Sequence, residues 1–261
     1  MLKLTHENYH SLEADRQYMS VSLYKSFTEC EAKTMAILNG LYPKEDNDAF
    51  LLGSYVHAWN EGQNMGEFRA AHPEMFKKNG EMLAKYAIGD KMIETLQNDE
   101  LITRVREGQK EVIMTAEIFG VPWKIMIDIY NPAGKAIVDL KTTRDIHMKY
   151  WNDKLRLKQN FIEYYDYLLQ MAIYAEAERL NRKADDYLHP HIIAVSKEDI
   201  PDKAVIYLGT EFIKDKLIDV ERGIERFKDV WQGKAEPQRC EICDYCRATK
   251  KLDKIIFYTD I

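Results

Sequence analysis

Across residues 123–141 the chain alternates apolar and polar side chains with a period of two. Ile125, Ile127 and Ile129 fall between Lys124, Met126, Asp128 and Tyr130. Further on, Ala136, Val138 and Leu140 fall between Ile137, Asp139 and Lys141. That period marks half-buried strands. Asn131, Pro132, Ala133 and Gly134 supply turn chemistry between them. The pattern predicts a hairpin that brings Asp128 onto one face with Asp139 and Lys141. A strand over 111–119, joined through Gly120 and Pro122, makes it a three-stranded meander.

Elsewhere the spacing is helical. Residues 20–39 predict one helix, capped by Ser20 or Ser22 and ended by Gly40, with Leu23, Phe27, Cys30, Thr34 and Leu38 along one side. A second helix is predicted from a capping Asp48 to Gly62, and a third over 82–96. A fourth runs from Asn160 to Leu180, and a fifth over 211–232 carries Ile213, Leu217, Val220, Ile224, Phe227 and Trp231 on its buried side. Short apolar runs at 191–195 and 204–208 extend the sheet. The sum is an α/β (α+β) chain, a central mixed sheet with an antiparallel hairpin flanked by helices, in a single domain spanning 1–261.

Composition adds exclusions. Of 261 residues, 46% are hydrophobic and 31% charged, as in folded globular chains. No apolar run reaches membrane-spanning length, and the N-terminus lacks the apolar core of a signal peptide, so a cytoplasmic protein is expected. A net charge of −6 rules out a general basic field as the means of recruiting nucleic acid. Any DNA contact needs a local basic lining. Lys149, Lys154, Arg156 and Lys158, interleaved with Tyr150 and Trp151, are the candidates, offering cations for phosphates and rings for unpaired bases. Thr142 and Thr143, just past Lys141, are candidates for holding the strand end or touching a phosphate.

Two carboxylates and an amine on one sheet face are costly to bury without a partner. A divalent cation such as Mg²⁺, which takes hard oxygen ligands, is the obvious one. His57 and Glu61 stand one turn apart on a helix, as do Gln170 and Tyr174. Singly, each spacing also suits an ordinary solvated or packed side chain; their order along the chain makes the pattern.

Asp128, a turn, then Asp139, Leu140 and Lys141 resemble the signature of the PD-(D/E)xK nuclease superfamily, which has a restriction-endonuclease-like core. Gly53, His57 and Glu61 are similar to the first motif of its RecB-like and RecE-like branches. Gln170 and Tyr174 resemble the helix that follows the Asp-x-Lys strand there. The resemblance implies that His57, Asp128, Asp139 and the Leu140 backbone carbonyl bind Mg²⁺ or Mn²⁺. It also implies that Lys141, its pKa lowered by the cation, positions or deprotonates the attacking water, that Gln170 orients that water or the phosphate, and that Glu111 has a catalytic counterpart. Gly53 would let its helix approach closely.

Cys30 stands apart from Cys240, Cys243 and Cys246. Two-residue gaps let successive thiolates face one ion or cluster. One cysteine upstream and three near the C-terminus resemble the AddB-type iron–sulfur nucleases, where a [4Fe–4S] cluster staples the chain ends. Those families space the last cysteine further away, which keeps Zn²⁺ open. The whole pattern most resembles phage and prophage RecE-type (exonuclease VIII) enzymes. That implies a 5′→3′ exonuclease on double-stranded DNA ends, a homo-oligomer, working in a bacterial host with a phage single-strand annealing protein. A single-strand-directed iron–sulfur exonuclease of the CRISPR-associated or helicase-linked kind, and a non-catalytic DNA-end binding protein, are the alternatives.

Overall fold

The computed structural model describes residues 1–44, 48–252, 255 and 257–260, with the backbone alone for 48–50 and 260. Helices α1 (Leu12–Asp15), α2 (Val21–Glu29), α3 (Glu31–Leu38), α4 (Asp48–Glu61), α5 (Met65–Ala71), α6 (Ala84–Gln97) and α7 (Glu100–Val105) come first. Strands β1 (Gln109–Ile118), β2 (Val121–Asn131), β3 (Ala136–Thr143), β4 (Tyr150–Asn152) and β5 (Leu157–Gln159) follow. Then come α8 (Phe161–Tyr164), α9 (Tyr167–Arg182), β6 (His189–Ser196), β7 (Lys203–Tyr207), α10 (Glu211–Trp231) and α11 (Asp244–Ala248). No described helix is long and apolar enough to cross a membrane. The chain divides into two compact units, Asp46–Val220 and Met1–Glu45 with Glu221–Ile261.

The first unit is built on a five-stranded sheet of order β1-β2-β3-β6-β7. β3 and β6 are parallel and the other neighbours antiparallel, so the predicted meander forms. The parallel pair needs a long crossover, which the segment containing α8 and α9 provides. One sheet face carries Ile129, Val138, Leu140, Ile193 and Val195, packed with Leu52, Tyr55 and Val56 of α4 and Tyr86, Met92 and Leu96 of α6. The other face carries Asp128, Tyr130, Asp139 and Lys141 beneath α9, where the buried Glu178 accepts from Tyr130 Oη at 3.0 Å.

Two local features depart from the periodicity. The helix expected from Asn160 to Leu180 is interrupted between α8 and α9, where Asp166 adopts φ 48° and its side chain accepts from Leu169 N at 3.4 Å. An aspartate tolerates that conformation and caps the new helix. The basic–aromatic stretch after Thr143 folds as a small antiparallel hairpin, β4–β5. The side chain of the expected cap Asp48 lies outside the described residues.

In the second unit the helix expected over 20–39 is two helices. Ser20 caps α2, accepting from Leu23 N at 3.2 Å. Cys30 then turns extended, at φ −164° and ψ 106°, and caps α3 through its own sulfur, which accepts from Lys33 N at 3.4 Å. Tyr24 and Phe27 pack on Phe227, with ring centroids 5.2 and 5.5 Å away. The break sacrifices helical continuity and is offset by tertiary contacts of Cys30 and Glu31, which a spacing pattern cannot report.

Candidate active site

The β2–β3 ladder is short, running from Asn131↔Ala136 to Ile129↔Val138. Beyond it, β2 continues against β1 and β3 against β6, so the sheet forks. Asp128 and Asp139 are the first residues past the last rung. Leu140 N, past the last rung with β2, donates to Asp128 Oδ2 at 2.7 Å. On β1, Lys110 pairs with Ile129 and Val112 with Ile127, so Glu111 stands opposite Asp128. Glu111 has φ 50°, a left-handed conformation costing about 1 kcal/mol or more for a residue with a Cβ. Three acids thus occupy successive cross-strand positions.

His57 arrives from α4, its Nδ1 3.5 Å from Asp128 Oδ2. Ligand atoms of His57, Glu111 and Asp128 lie within 4.8 Å of one another. The charges conflict. Burial pushes the Glu111 carboxyl up to about 8, helped by repulsion from Asp128, Glu61 and Asp139. Burial raises Asp128 to about 6, with Asp139 adding to the rise while His57 and Lys141 oppose it. Acids that resist ionising together, with an imidazole beside them, are a donor set suited to a divalent cation. Glu61 itself bonds to Gln63 Nε2.

Asp139 is gripped from two sides. Gln170 Nε2 of α9 donates to its Oδ1 at 2.6 Å, and Lys141 Nζ lies 2.7 Å from its Oδ2. Lys141 is half-buried, which opposes its charge, yet attraction to Asp139 and Asp128 holds its pKa above the ordinary lysine value. The Tyr167 ring covers Lys141, with Nζ 4.7 Å from its centroid.

Tyr167 and Lys110 escaped the sequence reading. Tyr167 sits three residues before Gln170, the one available hint, since both then share a helix face. Burial, with Arg106 nearby, lowers the Lys110 pKa to about 8. Tyr174 lies one turn beyond Gln170, half-buried. Thr142 sits beside Gly53, where an added Cβ would meet Thr142 Oγ1 at 3.7 Å, an ordinary contact. Close approach is therefore not what requires Gly53. Lys149, Lys154, Arg156 and Lys158 are exposed on or beside the β4–β5 hairpin. Tyr150 of that hairpin contacts Tyr165 at 5.4 Å, and Tyr165 contacts Tyr167 at 5.8 Å, so rings run from the hairpin to Lys141.

In the second unit Cys30, Cys240, Cys243 and Cys246 converge, their sulfurs within 4.8 Å of one another and none in a disulfide. Cys243 N donates to Cys240 Sγ at 3.3 Å and Cys246 N to Cys243 Sγ at 3.4 Å. Donation from the Ile242 and Cys243 amides holds the Cys240 thiol down at about 6, whereas burial pushes Cys30 up.

Residues 20–249 match a family described as a PDDEXK-like domain of unknown function (DUF3799). A crystal structure of a candidate exonuclease from Eubacterium rectale is 38% identical, covers 100% of this chain and 98% of its own, and superposes with a TM-score of 0.91. The structure of SSO0001, 16% identical over 86% of this chain and 90% of its own, has a TM-score of 0.27, too low to carry an argument. No curated protein matches the chain.

Proposed function

The chain belongs to the PDDEXK-like family DUF3799, and on that premise we propose that it is a metal-dependent DNA exonuclease hydrolysing phosphodiester bonds at duplex ends. The observation that carries this reading is the convergence of His57, Glu111, Asp128, Asp139, Lys141 and Gln170 at the sheet fork. The name of the Eubacterium rectale relative supports exonuclease over other nuclease activities.

His57, Glu111 and Asp128 hold Mg²⁺ or Mn²⁺, with Asp139 and the Leu140 carbonyl assigned from the superfamily pattern. The Leu140 N–H is turned toward β2. The carbonyl of the same extended residue turns the same way, which supports its role. The ion supplies stabilisation of the negative charge that develops on the phosphate. Lys141 Nζ, held charged by Asp139 and Asp128, donates a hydrogen bond that orients the attacking water, a task that needs the lysine close to the reacting oxygen. Gln170 keeps Asp139 aimed at the fork, and Tyr167 walls Lys141 from solvent. Thr142, Tyr174 and the hairpin cations contact the strand.

The RecE-type resemblance supports 5′→3′ polarity and delivery of the remaining tail to a single-strand annealing protein. A second reading, digestion of single strands, is favoured by exposed rings near the site: Trp151, Tyr164 and Tyr165 are 49%, 40% and 44% exposed. Duplex and single-stranded DNA labelled at either end, digested with Mg²⁺, Mn²⁺ or chelator, tests both readings. Metal-dependent loss from 5′ ends of duplex is expected, with the Lys141→Ala protein still binding Mn²⁺ but inactive. Wild-type rates in that variant would remove the assignment.

A further inference from the structure

The cysteine pattern leaves two occupants open, a [4Fe–4S] cluster or zinc. We propose that Cys30, Cys240, Cys243 and Cys246 hold one tetrahedral Zn²⁺ ion, and that the sulfurs stand too close together for an iron–sulfur cluster.

The distinction is one of size. A single zinc with Zn–S bonds of about 2.3 Å sets its four sulfurs on a tetrahedron whose edges are about 3.8 Å. Here Cys30 Sγ and Cys246 Sγ are 3.5 Å apart, and Cys240 Sγ and Cys246 Sγ are 3.9 Å apart. These distances bracket the edge of a one-ion shell, and the remaining separations stay within 4.8 Å. In a four-iron cluster each thiolate binds a different iron and points outward from the cube, so the sulfurs stand farther apart than on one ion. Cys246 would have to withdraw from both Cys30 and Cys240.

The surrounding structure resists that withdrawal. Cys30 and Cys246 are buried, at 5% and 0% exposure. The next residue, Glu31, accepts from Arg226 Nε at 3.0 Å, Arg226 Nη2 at 2.7 Å and Gln238 N at 2.7 Å. Ala32 N donates to Gln238 O at 3.0 Å. The segment bearing Cys30 and the one leading to Cys240 are therefore tied together two residues before the cysteine loop. Arg239 Nη2 donates to Cys246 O at 2.6 Å and fixes the loop's far end. The amides of Lys33, Cys243 and Cys246 that point at sulfur offset part of the negative charge of a tetrathiolate shell. Four thiolates and no open position describe a structural site. Its role is to close the chain between residue 30 and residues 240–246, so that metal binding contributes to folding.

The test reads metal, not cleavage, and its result is independent of the nuclease assignment. The full chain, purified anaerobically, is assayed for zinc, iron and inorganic sulfide, and its absorption spectrum is taken. Equimolar zinc in a colourless protein is expected. Exchange with Co²⁺ should then give intense thiolate-to-cobalt absorption and the visible bands of a tetrahedral tetrathiolate site, and Cys30→Ser should shift both as one thiolate is lost. Iron with matching sulfide in a brown protein would overturn the proposal. So would metal-free chains whose four thiols react at once with a thiol reagent, or a Cys30–Cys246 disulfide. Because the unmutated protein decides between these outcomes, a variant that fails to fold does not rescue the idea.

Discussion

Leu140 N donates to Asp128 Oδ2 at 2.7 Å, so a side chain of β2 takes the amide of β3 where the two strands stop pairing. The bond makes Asp128 both a latch on the fork and a carboxylate aimed into it. Asp128→Asn keeps an oxygen acceptor for the amide but removes the charge, whereas Asp128→Ala removes both. Both variants should lose cleavage and at least about 100-fold in Mn²⁺ affinity. Only the alanine should unfold more easily, by about 1–3 kcal/mol, because it strands a buried amide. Calorimetric Mn²⁺ titration beside denaturant melts separates the two effects; equal melts would show that the latch contributes nothing.

Gln170 holds Asp139 through an amide that can only donate at Nε2, at 2.6 Å. Gln170→Ala should lower kcat by about 10–100-fold with little change in KM, since an aiming contact is lost and no substrate contact. Gln170→Glu sets a like charge against Asp139 and should be the worse variant at neutral pH. Steady-state kinetics on labelled duplex would expose an error if the glutamate proved the milder change.

The metal-free protein should lose stability as pH rises. Glu111 is raised to about 8 and Asp128 to about 6. The folded state therefore holds protons that the unfolded chain releases near pH 4–4.5. The stabilising contribution is complete below that range and is lost progressively up to about pH 8. Mn²⁺ relieves the repulsion, so its stabilising effect on Tm should be larger at pH 8 than at pH 5.5. A flat melting profile in chelator, with a pH-independent response to Mn²⁺, would contradict this.

Glu31 is buried and accepts three hydrogen bonds, two of them from the Arg226 guanidinium. Arg226 is 38% exposed at its side chain, so solvent screens part of the attraction. Glu31→Ala should still cost about 2 kcal/mol, mostly through unpaired donors. Glu31→Gln, which keeps one acceptor, should cost less. Urea melts give both numbers, and an alanine variant of unchanged midpoint would refute the clamp.

Much of the molecule was legible in local pattern. Alternation over 123–141 specified the hairpin because a one-residue slip would have sent Asp128 and Asp139 into the apolar layer of α4 and α6. The order of His57, Asp128, Asp139, Lys141 and Gln170 along the chain was enough to show a resemblance to the superfamily, because that motif order is read along the sequence and needs no tertiary contact. Tertiary structure alone decided the rest. It set where β2 and β3 part, which depends on the competing partners β1 and β6. It put Glu111 beside His57 and Asp128 through a left-handed φ that no periodicity reveals, and it laid Tyr167 over Lys141 after a break at Asp166. At Cys30 a helix that the spacing carried straight through was interrupted, because a sulfur near Cys246 and a carboxylate under Arg226 outweigh a few helical hydrogen bonds. Local propensity acts over one or two turns; contacts between residues two hundred positions apart enter only when the chain has folded.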